Sequence, residues 1–167
     1  MKNVITLMAI MLLLPALNPM SMAQLNCDEL KKENESLKKA LQITTPIKTI
    51  TSSKIDFNLI KCEGNTKEQT VDVMLTLVNH DANQEFQFEE AKAIDIEANE
   101  YKTFNISIGS GSSRNKIYTD TPVKVVIKFT KVLPSVKIFK LIPISYFHDA
   151  PGRSVDIEYK DITISWK

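Results

Sequence analysis

The sequence contains two histidines, and both begin the same tripeptide: His80-Asp81-Ala82 and His148-Asp149-Ala150. An imidazole beside a carboxylate offers a ring nitrogen and hard oxygens, so two such pairs brought together could hold a divalent metal. The same groups could instead make a pH-sensitive recognition face, because histidine titrates near neutrality. Arg114 and Lys116, in the stretch GSGSSRNK at 109–116, would add two cations to that face. Against both stands the plainer reading of ordinary loop residues, each aspartate closing a local turn. His80, Asp81, His148 and Asp149 are therefore metal candidates without a committed ligand set, and no cofactor is expected.

Other chemistry is scarce. There is no G-x-S-x-G elbow, no H-E-x-x-H pair, no phosphate-binding glycine loop and no cysteine-pair zinc pattern. Four glycines in the whole chain leave little material for a backbone cradle. Cys62 with either histidine would make a nucleophile pair, but a buried or disulfide role suits it better. From these absences the chain is expected not to be an enzyme. The acidic stretch Glu85–Glu90, interleaved with Phe86 and Phe88, reads as a half-exposed strand rather than a calcium loop, since alternation sends its carboxylates to one side.

The elements that would position these residues are strands. From Lys54 onward apolar residues recur with period two. The runs are Ile55-Phe57-Leu59, Val71 to Leu77, Phe86 to Ile96, Phe104-Ile106-Ile108, Val123 to Phe129, Val136 to Phe147, and Val155 to Trp166. Pro143 suggests that the sixth run is an edge strand or carries a bulge. The change of parity between Tyr159 and Ile162 implies another bulge near Lys160-Asp161. Turn residues separate the runs at 63–65, 81–83, 98–100, 109–111, 133–134 and 151–152. Seven strands so spaced predict a mainly β, antiparallel two-sheet sandwich over 54–167. With simple hairpin order, the second, fourth and sixth strands end at one pole. That pole would gather the two His-Asp pairs with Arg114 and Lys116.

The start of the chain reads differently. Lys2 precedes an apolar run from Val4 to Leu17, and Ser21-Met22-Ala23 follows. A basic start, a short apolar middle and a small-residue exit are the three parts of a secretory signal, expected over 1–23. At about 14 residues the apolar run is shorter than the roughly 20 that span a bilayer, and no membrane span is expected after cleavage. Lys2 is the sole charge removed, so the formal +1 of the whole chain becomes zero. A neutral protein has no electrostatic footprint for nucleic acid. The expected location is the periplasm or the medium, where Cys27 and Cys62 are in a disulfide-permissive setting.

Residues 24–42 read as a polar helix. In NCDELKKENESLKKALQ a heptad places Cys27, Asn34 and Leu41 at a, with Leu30 and Leu37 at d. Leucine at d with one asparagine at a is the pattern of a two-stranded coiled coil, and Cys27 would face its twin across the seam. About two heptads make a marginal helix, so a solvated spacer is the other reading. Residues 43–53, ITTPIKTITSS, form the expected linker, with a first edge strand as the alternative.

The run Val71–Asn79, the segment TDTPVKVVIKF at Thr119–Phe129 and the closing VDIEYKDITISW at Val155–Trp166 resemble the small immunoglobulin-like domains of exported bacterial proteins of unassigned function. The antibody-type Cys…Trp…Cys arrangement is absent. The resemblance implies an accessory or binding module, with a protein or other extracytoplasmic ligand as partner. A subunit of an envelope assembly, joined through the helix and the sheet edges, is the second expectation.

Overall fold

The computed structural model describes residues 29–33, 36, 45–147 and 153–167. Residues 29–33 and 36 are helical. Cys27, Asn34, Leu37 and Leu41 lie outside the described residues, as does the signal segment. The chain divides into two units, 1–44 and 45–167. Among the described residues no helix is long and apolar enough to cross a membrane.

The second unit is mainly β and built from antiparallel sheets. Eleven strands form among the described residues: β1 (Lys48–Ser52), β2 (Ile55–Asn65), β3 (Thr70–Asn79), β4 (Gln84–Asp95), β5 (Glu100–Thr103), β6 (Ile106–Ile108), β7 (Arg114–Ile117), β8 (Val123–Thr130), β9 (Ile138–Phe147), β10 (Ser154–Thr163) and β11 (Ser165–Trp166). One sheet runs β1-β2-β3-β8-β6, with β11 pairing β2 in parallel; the other runs β10-β9-β4-β5, with β7 pairing β4. Four strands exceed the expected seven. β1 occupies the expected linker and pairs with β2 along its whole length. β5 and β7 are short and polar, with one buried residue each, Thr103 and Ile117. β11 is the detached end of the last predicted strand.

Inward residues of both sheets form one apolar core. Phe57 of the first sheet meets Phe86, Phe88 and Tyr146 of the second, with ring centroids 6.1, 6.5 and 5.1 Å away. Phe129 and Phe139 make the same junction further along, at 5.6 Å. Each fully buried apolar side chain of this kind contributes about 1.5–3 kcal/mol. Tyr159 carries its hydroxyl into the core and donates it to the Phe57 carbonyl at 2.7 Å.

Irregular pairing decides several residues that alternation misplaces. The β2–β3 register shifts between Leu59 and Lys61, so Cys62, not Lys61, faces the core. In β4 the register shifts between Phe88 and Glu90. Ala91, Ala93 and Asp95 then point inward, and Ile96 is left 72% exposed. Phe104 lies outside its expected strand and is 65% exposed. Pro143 sits on β9, which has a neighbour on each side, so the edge-strand reading is wrong. The parity change after Tyr159 is real, for Tyr159 and Ile162 are both buried. The β10–β9 register nevertheless runs unshifted past Asp161, whose φ is +57°. Lys140 on β9 turns outward with it and pairs with Asp161 at 2.5 Å.

Strand direction gives the unit two ends. At the first, β3 ends beside the start of β2 and β8, and β9 ends beside the start of β4 (Ile55↔Asn79, Leu77↔Val123, Gln87↔Phe147). At the second, β2 ends and β11 joins it, so that Trp166 lies opposite Gly64.

Candidate functional site

His80 leaves β3 at the first end, and its ring is held from both sides. Nδ1 lies 2.7 Å from Asp120 Oδ1, and Nε2 lies 3.0 Å from Asp56 Oδ2. Carboxylates only accept, so both contacts are hydrogen bonds at once when the imidazole is the charged, doubly protonated form. The hydrogen bonds to Asp56 and then to Asp120 raise the His80 pKa above the ordinary 6.5. Asp56 answers in the opposite sense. A hydrogen bond from Thr51 and then one from His80 lower its pKa, outweighing its partial burial. The Thr51 hydroxyl reaches Asp56 Oδ1 at 2.6 Å across the β1–β2 hairpin.

The loops around this ring are tightly tied. Asn79, 1% exposed, donates from Nδ2 to the carbonyls of Asp81 and Ala82, each at 3.0 Å. Its Oδ1 accepts from the Asp81 amide and from Gln84 Nε2. The Asp120 amide donates to the Asn79 carbonyl at 2.7 Å. Thr119 joins the loop of residues 118–122 to the loop of residues 80–83, its amide bonding Asn83 Oδ1 and its hydroxyl the Asp81 carbonyl. Ser53 and Lys54 turn between β1 and β2 with φ of 52° and 58°. Two adjacent left-handed residues are what a two-residue hairpin turn requires, and neither is the usual Gly or Asn. The Lys54 carbonyl accepts the His80 amide at 2.8 Å, and its ammonium pairs with Asp81 at 3.1 Å.

Of the residues singled out from sequence, His80 and Asp81 lie in this network. Arg114 and Lys116 lie on β7, alongside the first residues of β4, rather than in a loop. Arg114 pairs with Glu85 at 3.4 Å, and Lys116 stands over the Tyr118 ring at 5.6 Å. His148 and Asp149 lie outside the described residues. Among the described residues no group of three or more His, Cys, Asp or Glu side chains could hold a metal. In its doubly protonated form His80 presents no lone pair to one. Cys62 is a free, buried thiol whose burial, aided by Asp72, pushes its pKa up to about 12. A thiol so held is no nucleophile.

Sequence reasoning missed Asp56, Asp120 and Tyr118. Asp56 and Asp120 are 24 and 40 residues from His80, and nothing local marks either as its partner. Tyr118 is 51% exposed, just past β7 on the chain that leads to Asp120. The dipeptide Tyr118-Thr119 beside a cation on a predicted loop was the available signal.

No protein-family model matches the chain, and no curated protein matches it. Among solved structures, a family 123 glycoside hydrolase from Clostridium perfringens, described in terms of glycolipid glycan hydrolysis, is similar over 61% of this chain, with 10% identity and a TM-score of 0.38. The chain spans 22% of that protein. With a neighbour of that description, the expectation drawn from absent motifs that the chain is not an enzyme is not upheld. At that level of likeness it assigns no activity to the chain either.

Proposed function

We propose that residues 45–167 are an immunoglobulin-like sandwich and serve as an exported binding or interaction module that meets its partner at the His80 end. The observation that carries this reading is Tyr118, an exposed aromatic with Lys116 above it, carried on a loop that neutral hydrogen bonds and a charged ring hold in place. A fixed loop loses little conformational entropy on binding, and tyrosine offers a large contact area with a polar tip. Binding residues are concentrated on loops set by a rigid scaffold, which is the arrangement here.

We further propose that residues 24–42 pair with those of a second copy, a reading that rests on Leu30. This residue, at a d position of the heptad, is helical and 59% exposed. An apolar side chain uncovered on a polar helix supports pairing of residues 24–42 with those of a second copy.

The test is site-specific photocrosslinking in the cells that make the protein. A benzophenone side chain is placed at position 118 in one sample and at position 133 in another. Leu133 is 52% exposed and sits in the loop between β8 and β9, at the other end. Discrete adducts from position 118 and none from 133 are expected. Equal labelling at both positions, or adducts from 133 alone, would contradict the assignment of the face.

A further inference from the structure

We propose that His80 is a proton-operated clasp for the loop of residues 118–122: as an imidazolium it ties Asp120 to Asp56, and on losing a proton it releases the Asp120 arm. The argument begins with a count of donors. A neutral imidazole has one N–H, and here a carboxylate faces each ring nitrogen. After deprotonation one carboxylate must face a lone pair, which is repulsive.

The structure selects the arm that leaves. Asp56 is anchored on β2, its side chain is 29% exposed, and its second oxygen takes the Thr51 hydroxyl. Asp120 is on a loop, its side chain is 71% exposed, and its backbone has φ of +51°. The loop's other hydrogen bonds to its neighbours, from Thr119 to Asn83 and to the Asp81 carbonyl and from the Asp120 amide to Asn79, are between neutral groups, and Lys116 lies over the Tyr118 ring. The loop therefore stays attached while its Asp120 segment loosens and Tyr118 gains freedom. The charged groups around the ring are Asp56 from β2, Asp120 from the 118–122 loop, and the Lys54–Asp81 pair from the β1–β2 turn and the 80–83 loop. The clasp is closed on the acid side and opens as pH rises. It concerns the end of the domain proposed above as the binding face, but its test needs no ligand, so either idea can fail alone.

The test is an NMR titration of the mature protein, following the His80 ring together with the backbone amides of Thr119, Asp120 and Thr121 and the Tyr118 ring. The expected result is one shared midpoint for His80 and these loop signals. In His80→Gln the loop transition disappears while the core spectrum is unchanged. In Asp120→Asn the loop signals sit near their high-pH positions at every pH. Loop signals that show no transition at the His80 midpoint, or that keep it in His80→Gln, would overturn the clasp. Should His80→Gln fail to fold, Asp120→Asn carries the same decision.

Discussion

At the end of the domain where His80 lies, the loops are joined by side-chain polar groups: a charged ring between two carboxylates, a buried asparagine serving four partners, and a threonine linking two loops. At the end where Trp166 lies, packing and backbone pairing join polar groups of their own: Lys167 and Lys61 flank Glu63, and the buried Asp95 accepts from Asn99 and Tyr101. The Trp166 ring covers Gly64 and donates from Nε1 to the Val136 carbonyl at 2.7 Å, while Lys167 exchanges backbone bonds with Gly64 and Thr66. Packing resists substitution by volume and is indifferent to pH. A charged network tolerates volume but responds to protonation. The charged group that titrates near neutrality, His80, lies at the first end, which is one reason to look for recognition there.

The largest effect is expected at the Trp166 end. A Cβ on Gly64 would come within 2.3 Å of the Trp166 ring, so Gly64→Val must displace the indole and break its bond to Val136. A loss of about 3 kcal/mol in chemical denaturation is expected. An unchanged denaturation midpoint would show that the indole is not closing this end. At the His80 end, Asn79→Ala removes four hydrogen bonds around a buried position and is expected to cost about 2 kcal/mol. Its damage should be local, with hydrogen exchange accelerated at 80–84 and 118–121 and not at 63–66.

His80→Gln separates the two ends by pH. Because the folded-state pKa of His80 is raised, its contribution is fully present below the ordinary imidazole value of 6.5 and is lost as pH rises through the raised value. Wild type and variant should differ in stability in mildly acidic solution and converge in alkaline solution. Asp56 sets the acid limit of that window. Its lowered pKa gives a contribution that is present above the ordinary carboxylate value of 3.8 and is lost as pH falls through the lowered one. Curves that stay parallel from mildly acidic to alkaline pH would remove the charge-based account of this end. The smallest effect is expected for Lys54→Ala, which breaks an exposed pair with Asp81 and should change stability by less than about 0.5 kcal/mol.

Much of the sheet framework could be read from alternation because β3 and β8 keep strict period two, with Val71, Val73 and Leu75 standing beside Phe129, Ile127 and Val125 on the inner face of one sheet. The reading failed where pairing, not composition, makes the strand. β5 (EYKT) and β7 (RNKI) have no apolar run, and they are strands because β4 offers them an edge. Ile94 and Ile96 looked inward on periodicity, but the register shift after Phe88 gives the inner positions to Ala93 and Asp95. Asp95 is accommodated there by bonds from Asn99, Tyr101 and the Glu97 amide. The site was legible to the extent of His80 and the end on which it lies. Its partners were not, because a hydrogen bond between residues 24 or 40 positions apart leaves no periodic trace.

The central claim is that His80 is held as a cation between Asp56 and Asp120. The most direct measurement is the titration midpoint of the His80 ring in wild type and in Asp120→Asn. The account predicts a wild-type midpoint above 6.5 that falls when the Asp120 charge is removed. A midpoint at or below 6.5, unchanged in Asp120→Asn, would contradict it.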